Sequence, residues 1–255
     1  FEQHVPRKAK IVTTHTQFMR EKLLAWGSVA ERVHYISNGV DPQRLNRPEM
    51  ELVAGLRSQL GLENKQVVAY LGSLSLPGHP VHLLVEAFKF VLERQPQAAL
   101  LLVGGGEEMQ RLQELAHRLG IRQAVTFTGR VSPEMVPMYY GLADVTVDPV
   151  YDDDAARGRS PLKMFESWAA GVPFITAPVG ERIALIGEPP ASLLAGTAGD
   201  PRALGEAILQ VLEDHELTAQ LRLRGEEQVR FYAWDHLARQ LATIYQQAIR
   251  ESHDD

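Results

Sequence analysis

Residues 160–173 read SPLKMFESWAAGVP. Pro161 suits the first position of a helix, where a missing N–H costs nothing. Met164, Phe165, Trp168 and Ala169 then recur on one face at helical spacing. Gly171 supplies a left-handed cap, and 172–177 resumes as an apolar strand. A loop, a helix and a strand follow one another here as one unit of an alternating α/β chain. A helix that starts out of a loop offers N–H groups to an anion, phosphates above all. Glu166 stands about one turn further in, where a carboxylate accepts from sugar hydroxyls. Phosphate at 160–163 and ribose at Glu166 together point to a nucleotide. A capped surface helix with an incidental Glu gives the same local pattern.

The same alternation runs outward in both directions. Upstream, 66–72 and 98–103 are unbroken apolar runs, the pattern of strands buried on both faces. Further strands are expected at 124–128, 144–147, 174–177 and, weakly, 192–194. Helices are expected over 81–94 and 108–119, and a short one up to Tyr140 capped by Ser132, in which Pro137 sits awkwardly. Three more close the chain at 202–213, 216–229 and 235–251. At the other end, strand 10–14 leads through Thr16 into a helix carrying Phe18, Leu23, Leu24 and Trp26, ended by Gly27. Strand 32–36 follows, then the turn-rich 37–42 and a polar linker over 43–49. The fold class is therefore α/β, a Rossmann-like parallel sheet with helices on both faces and right-handed crossovers. Such sheets bind ligands at the carboxyl ends of their strands. The loops there are 72–80, 104–107, 129–131 and 148–160.

Composition narrows the function. The 255 residues are 45% hydrophobic and 23% charged, an ordinary globular mix. No Cys is present, which removes thiol catalysis, thiolate metal sites and disulfides. A formal net charge of −6 argues against a nucleic-acid surface. No apolar run approaches membrane-spanning length, and the opening FEQHVPRKAK is polar, so a cytoplasmic protein is expected. Asp152, Asp153 and Asp154 lack a further ligand at metal spacing and read as a solvated loop. A dinucleotide-binding enzyme is disfavoured, because Met109 breaks the Gly-x-Gly-x-x-Gly run that Gly104 and Gly106 begin.

Several stretches taken together resemble the group 1 retaining glycosyltransferases of GT-B fold. They are IVTTHTQFMREKL, VHYISNGVD, GSLS, LLVGGGEE, FTGRVSPEMVPMYYGLADVTVDP, SPLKMFESWAAGVPFITAPVG and FYAWDHLARQLATIYQQ, in family order and spacing. The resemblance implies transfer of a sugar from a nucleoside-diphosphate donor to a hydroxyl acceptor with retention, without a metal. It implies a UDP- or GDP-linked substrate and no other cofactor. It places 1–45 as the last strand–helix–strand of an acceptor domain plus a hinge, 46–230 as the nucleotide-sugar domain and 231–255 as a crossover helix. The rest of the acceptor domain would then lie outside these residues, on the same polypeptide or on another chain, and the acceptor would be a glycan, a lipid-linked or a small molecule, with peripheral membrane contact allowed. The face awaiting that domain would carry Leu23, Trp26, Leu237, Leu241, Ile244 and Tyr245.

Carried over residue by residue, Glu166 is the second Glu of the family's Glu-x7-Glu pattern and holds the ribose. Ser160, Pro161, Leu162 and Lys163 form the turn that receives the diphosphate. Arg130 and Val131 flank the nucleobase, Gly104 and Gly106 line the same pocket, and Gly72 lies under the phosphates. Three positions depart. Gly158 stands where the pattern has its first Glu, Ser73 where it has an Arg, and Gly78–His79 where it has Lys–Gly. Arg157, Arg159, Lys163 and His79 are candidates to replace the lost cations. No catalytic residue is assigned, because the family's acceptor-side groups fall outside this chain. The alternative is a non-catalytic nucleotide-binding or assembly module that needs a partner chain.

Overall fold

A computed structural model of the chain describes residues 3–45, 48–75 and 78–251. Asn46, Arg47, Leu76 and Pro77, within the expected linker and the expected 72–80 loop, lie outside the described residues. In chain order the elements are α1 (Val5–Lys8), β1 (Val12–Thr14), α2 (Gln17–Ala25), β2 (Val33–Tyr35), α3 (Met50–Gln59), β3 (Gln66–Leu71), α4 (Val81–Arg94), β4 (Ala98–Val103), α5 (Met109–Arg118), β5 (Val125–Gly129), α6 (Val136–Leu142), β6 (Val145–Asp148), α7 (Asp154–Arg157), α8 (Leu162–Ala169), β7 (Phe174–Thr176), α9 (Arg182–Leu185), β8 (Leu193–Leu194), α10 (Pro201–Glu213), α11 (His215–Gln228) and α12 (Trp234–Glu251).

Six strands form one parallel sheet in the order β5-β4-β3-β6-β7-β8. The chain builds outward from β3 in one direction, then returns to place β6 on its other side. The gap between the carboxyl ends of β3 and β6 is thus the topological switch point, where such sheets bind ligands. Period-two alternation splits the strand side chains between two cores. Val68, Tyr70, Leu100, Leu102, Val145 and Ile175 face α4, α5 and α10. Val67, Ala69, Leu71, Leu101, Val103 and Phe174 face α6 and α8. Trp168 of α8 is fully buried there, and its indole N–H is satisfied by Ala191 O and Ser192 Oγ, both at 3.0 Å.

Nothing in the apolar pattern of 50–65 marked α3. Its Val53 and Leu56, with Leu60 just beyond, pack against the α6–α8 side of the sheet, a narrow stripe hidden among polar residues and Gly55. Pro137 is not awkward, because it falls in the first turn of α6, after a 3-10 turn at Pro133–Met135. Ser132 precedes that turn without capping it through its side chain. Pro161 is the N-cap of α8 rather than its first residue, a one-position shift at an end that carries no intrahelical donor either way.

The N-terminal unit is β1 and β2, paired in parallel through α2. Thr16 caps α2 by accepting from Met19 N at 3.1 Å. The chain then crosses to the larger sheet at Gly39–Val40. There Val40 N donates to Tyr232 O at 2.9 Å and Trp234 N donates to Val40 O at 3.1 Å. The start of α12 is therefore stitched to this crossover. Leu23 and Leu237, both expected on an open face, are buried. Phe231, Trp234, Tyr245 and Ile249 are the exposed apolar residues of that segment. No helix of the described residues is long and apolar enough to cross a membrane.

Candidate functional site

The loops after β3 and β4 interlock by backbone. Gly72 has φ +153° and Gly104 φ +138°. A Cβ on residue 104 would run into the Gly72 carbonyl oxygen, and one on Gly106 into Leu74 and Ser75. Gly72 N donates to Val103 O at 2.9 Å, Leu74 N to Gly105 O at 3.1 Å, and Glu108 N to Leu74 O at 3.0 Å. Side chains are excluded from this seam, so the floor of the switch point is bare peptide.

Over that floor lies Lys163, from the first turn of α8. A Cβ on Gly72 would come within 2.6 Å of Lys163 Cε. The ammonium sits 5.1 Å from the Tyr70 ring centroid and 3.3 Å from Asp148 Oδ1. Asp148 Oδ2 accepts from Arg182 Nη2 at 2.9 Å. Burial alone would raise the Asp148 carboxyl, but Lys163 and Arg182 beside it hold it well below the usual carboxylate range. Arg159 reaches the same mouth, and a Cβ on Gly78 would meet its Nη1 at 2.9 Å. His79 is half-buried. Burial, then the charges of Lys163 and Arg159, push its imidazole down to about 4, so it is neutral near pH 7. No side chain caps α8, whose first turn faces this cluster with its positive dipole end. The assembly suits a dense anion.

Glu166, one turn along α8, opens onto a separate cleft of about 870 Å³. Its walls include Val40, Arg44, Pro133, Leu162 and Trp234. Glu166 Oε2 accepts from the buried Tyr140 hydroxyl at 2.9 Å. Burial raises the Glu166 carboxyl above its ordinary value, while Tyr140 and Lys163 pull it partly back. One helical turn thus carries a cation toward the switch point and a carboxylate toward an open cleft.

Of the residues singled out by sequence, Gly72, His79, Arg159 and Lys163 gather at the switch point, with Gly104 and Gly106 beneath. Leu162 and Glu166 line the cleft. Ser73 lends only its carbonyl, to the Tyr70 hydroxyl at 2.8 Å. Ser160 is buried with its Oγ unpartnered among the described residues. Arg130 lays its stem along Gly105, and Val131 packs on the core edge. Arg157 does not join the cations, because Asp152 holds it through two bonds of 2.7 and 3.0 Å. Asp153 caps α7 and Asp154 pairs with Lys22 at 2.8 Å, which uses up the acidic run. Among the described residues no His/Asp/Glu group is arranged to hold a metal.

Asp148, Arg182, Tyr70, Tyr140 and Glu181 went unnoticed in the sequence. An Asp closing a strand at a switch point was the available signal for the first. Arg182 and Glu181 gave none, because their roles depend on α9 packing against α7 and β2.

Residues 65–214 match the sequence profile of the Glycosyl transferases group 1 family. This chain belongs to that family. Among curated relatives, it is 30% identical over 235 residues to the GDP-mannose-dependent alpha-(1-6)-phosphatidylinositol monomannoside mannosyltransferase of Mycobacterium tuberculosis, covering 91% of this chain and 60% of the relative. It is 26% identical to the D-inositol 3-phosphate glycosyltransferase of Corynebacterium urealyticum, with 96% and 58% covered. The chain therefore spans about 60% of the length of the curated relatives it matches. The structure of Anabaena Alr3699/HepE in complex with UDP and glucose superposes with a TM-score of 0.81 at 23% identity, covering 95% of this chain and 65% of that one. The fold seen there is the fold of this chain.

Proposed function

We infer that this chain is the donor-binding portion of a nucleotide-sugar-dependent glycosyltransferase. The observation that carries this is the division of labour on the first turns of α8. Lys163, with Arg159 and the helix start, faces the bare seam of Gly72 and Gly104 and takes the diphosphate. Glu166 faces the adjoining cleft and takes the ribose hydroxyls. A relative named GDP-mannose-dependent and a structural neighbour holding UDP support a GDP- or UDP-linked sugar. The inositol-bearing acceptors in the relatives' names support a hydroxyl acceptor of that kind or a glycan.

Charge stabilisation of the leaving diphosphate is the main chemical contribution of these residues. Lys163, Arg159 and the α8 dipole supply positive charge directly, and a metal-independent transfer with retention follows from the family pattern. Residues 1–45 act as the acceptor-side remnant and hinge, 46–230 as the donor domain and 231–255 as the returning helix. The exposed apolar residues at 231–249 take the remaining acceptor domain, on this polypeptide or on a partner chain.

Calorimetric titration with UDP, GDP and ADP, then with the matching nucleotide sugars, tests the reading. One nucleotide binds saturably, and Glu166→Ala weakens it at least tenfold, about 1.4 kcal/mol. No binding at millimolar concentration overturns the donor site. A second reading, nucleotide binding without transfer, is favoured by Gly158 and Ser73 standing where the family pattern has Glu and Arg. It predicts equal affinity for a nucleotide and its sugar conjugates.

A further inference from the structure

Asp148 closes β6 at the switch point, and its carboxylate is buried. Its two oxygens are treated unequally. Oδ2 receives an aligned bond from Arg182 Nη2 at 2.9 Å. Oδ1 lies 3.3 Å from Lys163 Nζ, is shut away from solvent and receives no aligned hydrogen bond among the described residues. Lys163 is itself mostly enclosed, with 18% of its side chain exposed. Arg182 is wholly buried and cannot swing toward the mouth. Thr176 Oγ1 accepts from its Nε at 3.1 Å, and Ala156 O from its Nη1 at 3.3 Å.

Arg182 cancels the charge of Asp148, and the charge left over is that of Lys163. We propose that Asp148 is a positioning residue for the donor: it holds Lys163 stretched across Gly72, with ammonium N–H groups left over for the diphosphate. This rests on the donor-site reading given above. A lysine has a flexible four-carbon stem and loses much freedom when a ligand orders it. Asp148 removes that freedom before the ligand arrives. Because Arg182 neutralises it, Asp148 does so without presenting a bare negative charge to the phosphates. The unaligned contact is part of the arrangement, since an ammonium has three donors and this one is steered rather than saturated.

The test uses the full chain, UDP and GDP, and calorimetry. Asp148→Asn lowers the affinity for the preferred nucleoside diphosphate about two- to tenfold, the range for ordering one long side chain. The affinity for the corresponding nucleoside, which lacks phosphate, stays unchanged. In a Lys163→Met background, Asp148→Asn has no further effect. If Asp148→Asn does not fold because Arg182 is left unpaired, the double variant Asp148→Asn/Arg182→Met removes both buried charges and shows the same loss. A loss that persists without Lys163, or an affinity that is unchanged or higher, overturns the proposal. Failure of the wild-type chain to bind any nucleotide overturns the donor-site reading instead. The nitrogen–proton NMR signal of the Lys163 ammonium then decides: sharp in wild type and lost in the double variant if Asp148 holds it, the same in both if it does not.

Discussion

Glu181 and Arg182 are adjacent in sequence and grip opposite parts of the molecule. Glu181 reaches the N-terminal unit, where Oε2 accepts from the Tyr35 hydroxyl at 2.9 Å and Oε1 from Gln17 N at the start of α2. Arg182 reaches inward to Asp148, Thr176 and Ala156. The start of α9 therefore joins the β1–α2–β2 unit to the Asp148–Lys163 cluster through two consecutive side chains. Burial, more than the neighbouring Glu181, raises the Tyr35 hydroxyl well above its ordinary value, so it stays a donor.

Glu181→Ala leaves the Tyr35 hydroxyl and an N-terminal helix N–H without their acceptor. A cost of about 2 kcal/mol is expected for such orphaned groups. Amide exchange measures it. Protection falls over β1, α2 and β2, while β3 and β4 of the central sheet exchange as before. Uniform loosening across both sheets would contradict a local clasp.

Gly104→Ala places a methyl group against the Gly72 carbonyl at a left-handed φ. Neither neighbour is a flexible side-chain end, so a loss of about 3 kcal/mol is expected, together with loss of nucleotide binding. Gly120→Ala is the matched control. Its φ is +74°, but nothing lies within 4 Å of the added Cβ, so it costs about 1 kcal/mol and leaves binding intact. Chemical denaturation and calorimetry read both.

Tyr140→Phe removes the hydroxyl that stabilises the Glu166 carboxylate. The Glu166 carboxyl, already raised by burial, moves further up. On the proposed reading the ionised Glu166 accepts from ribose, so nucleotide affinity is expected to fall as pH is lowered through that range. In the variant the fall begins at a higher pH than in wild type. At pH 8 the two differ by about threefold or less, within the range of one neutral hydrogen bond. Titration of affinity against pH checks the displacement.

His79 makes stability pH-dependent. In the unfolded chain it takes a proton near pH 6.5, whereas in the folded chain burial holds it down to about 4. Between these values the unfolded state binds the extra proton, so stability contributed here is present above about pH 6.5 and declines as pH falls toward 4. His79→Asn flattens that decline. Denaturant midpoints at pH 7.5 and pH 5 for the two proteins give the comparison.

The central sheet was legible because 67–71 and 98–103 are apolar at every position, the pattern of a doubly covered parallel strand. α3 was not, because Val53, Leu56 and Leu60 make a narrow stripe among polar residues and Gly55. The cations Lys163 and Arg159 could be placed at one mouth from their position after β6. Arg157 was grouped with them on the same ground. The structure turns it to Asp152 instead, a choice made by the α7 turn that the acidic run itself caps. Asp148 escaped notice because its importance lies in two partners, Lys163 of α8 and Arg182 of α9, neither of them near it in sequence.

The hold of Arg182 on Ala156 is through a main-chain carbonyl, and a Cβ on Gly180 would come within 2.8 Å of the Arg157 Cα. Both contacts fix the route of segment 152–158 and ignore its side chains. Loop grafting aimed at a new donor preference has room at the exposed Ala155 and Arg157 as long as the transplanted backbone retraces this route. A graft of different length would displace Arg182, and through it the charge balance at Asp148, before any new side chain met a sugar.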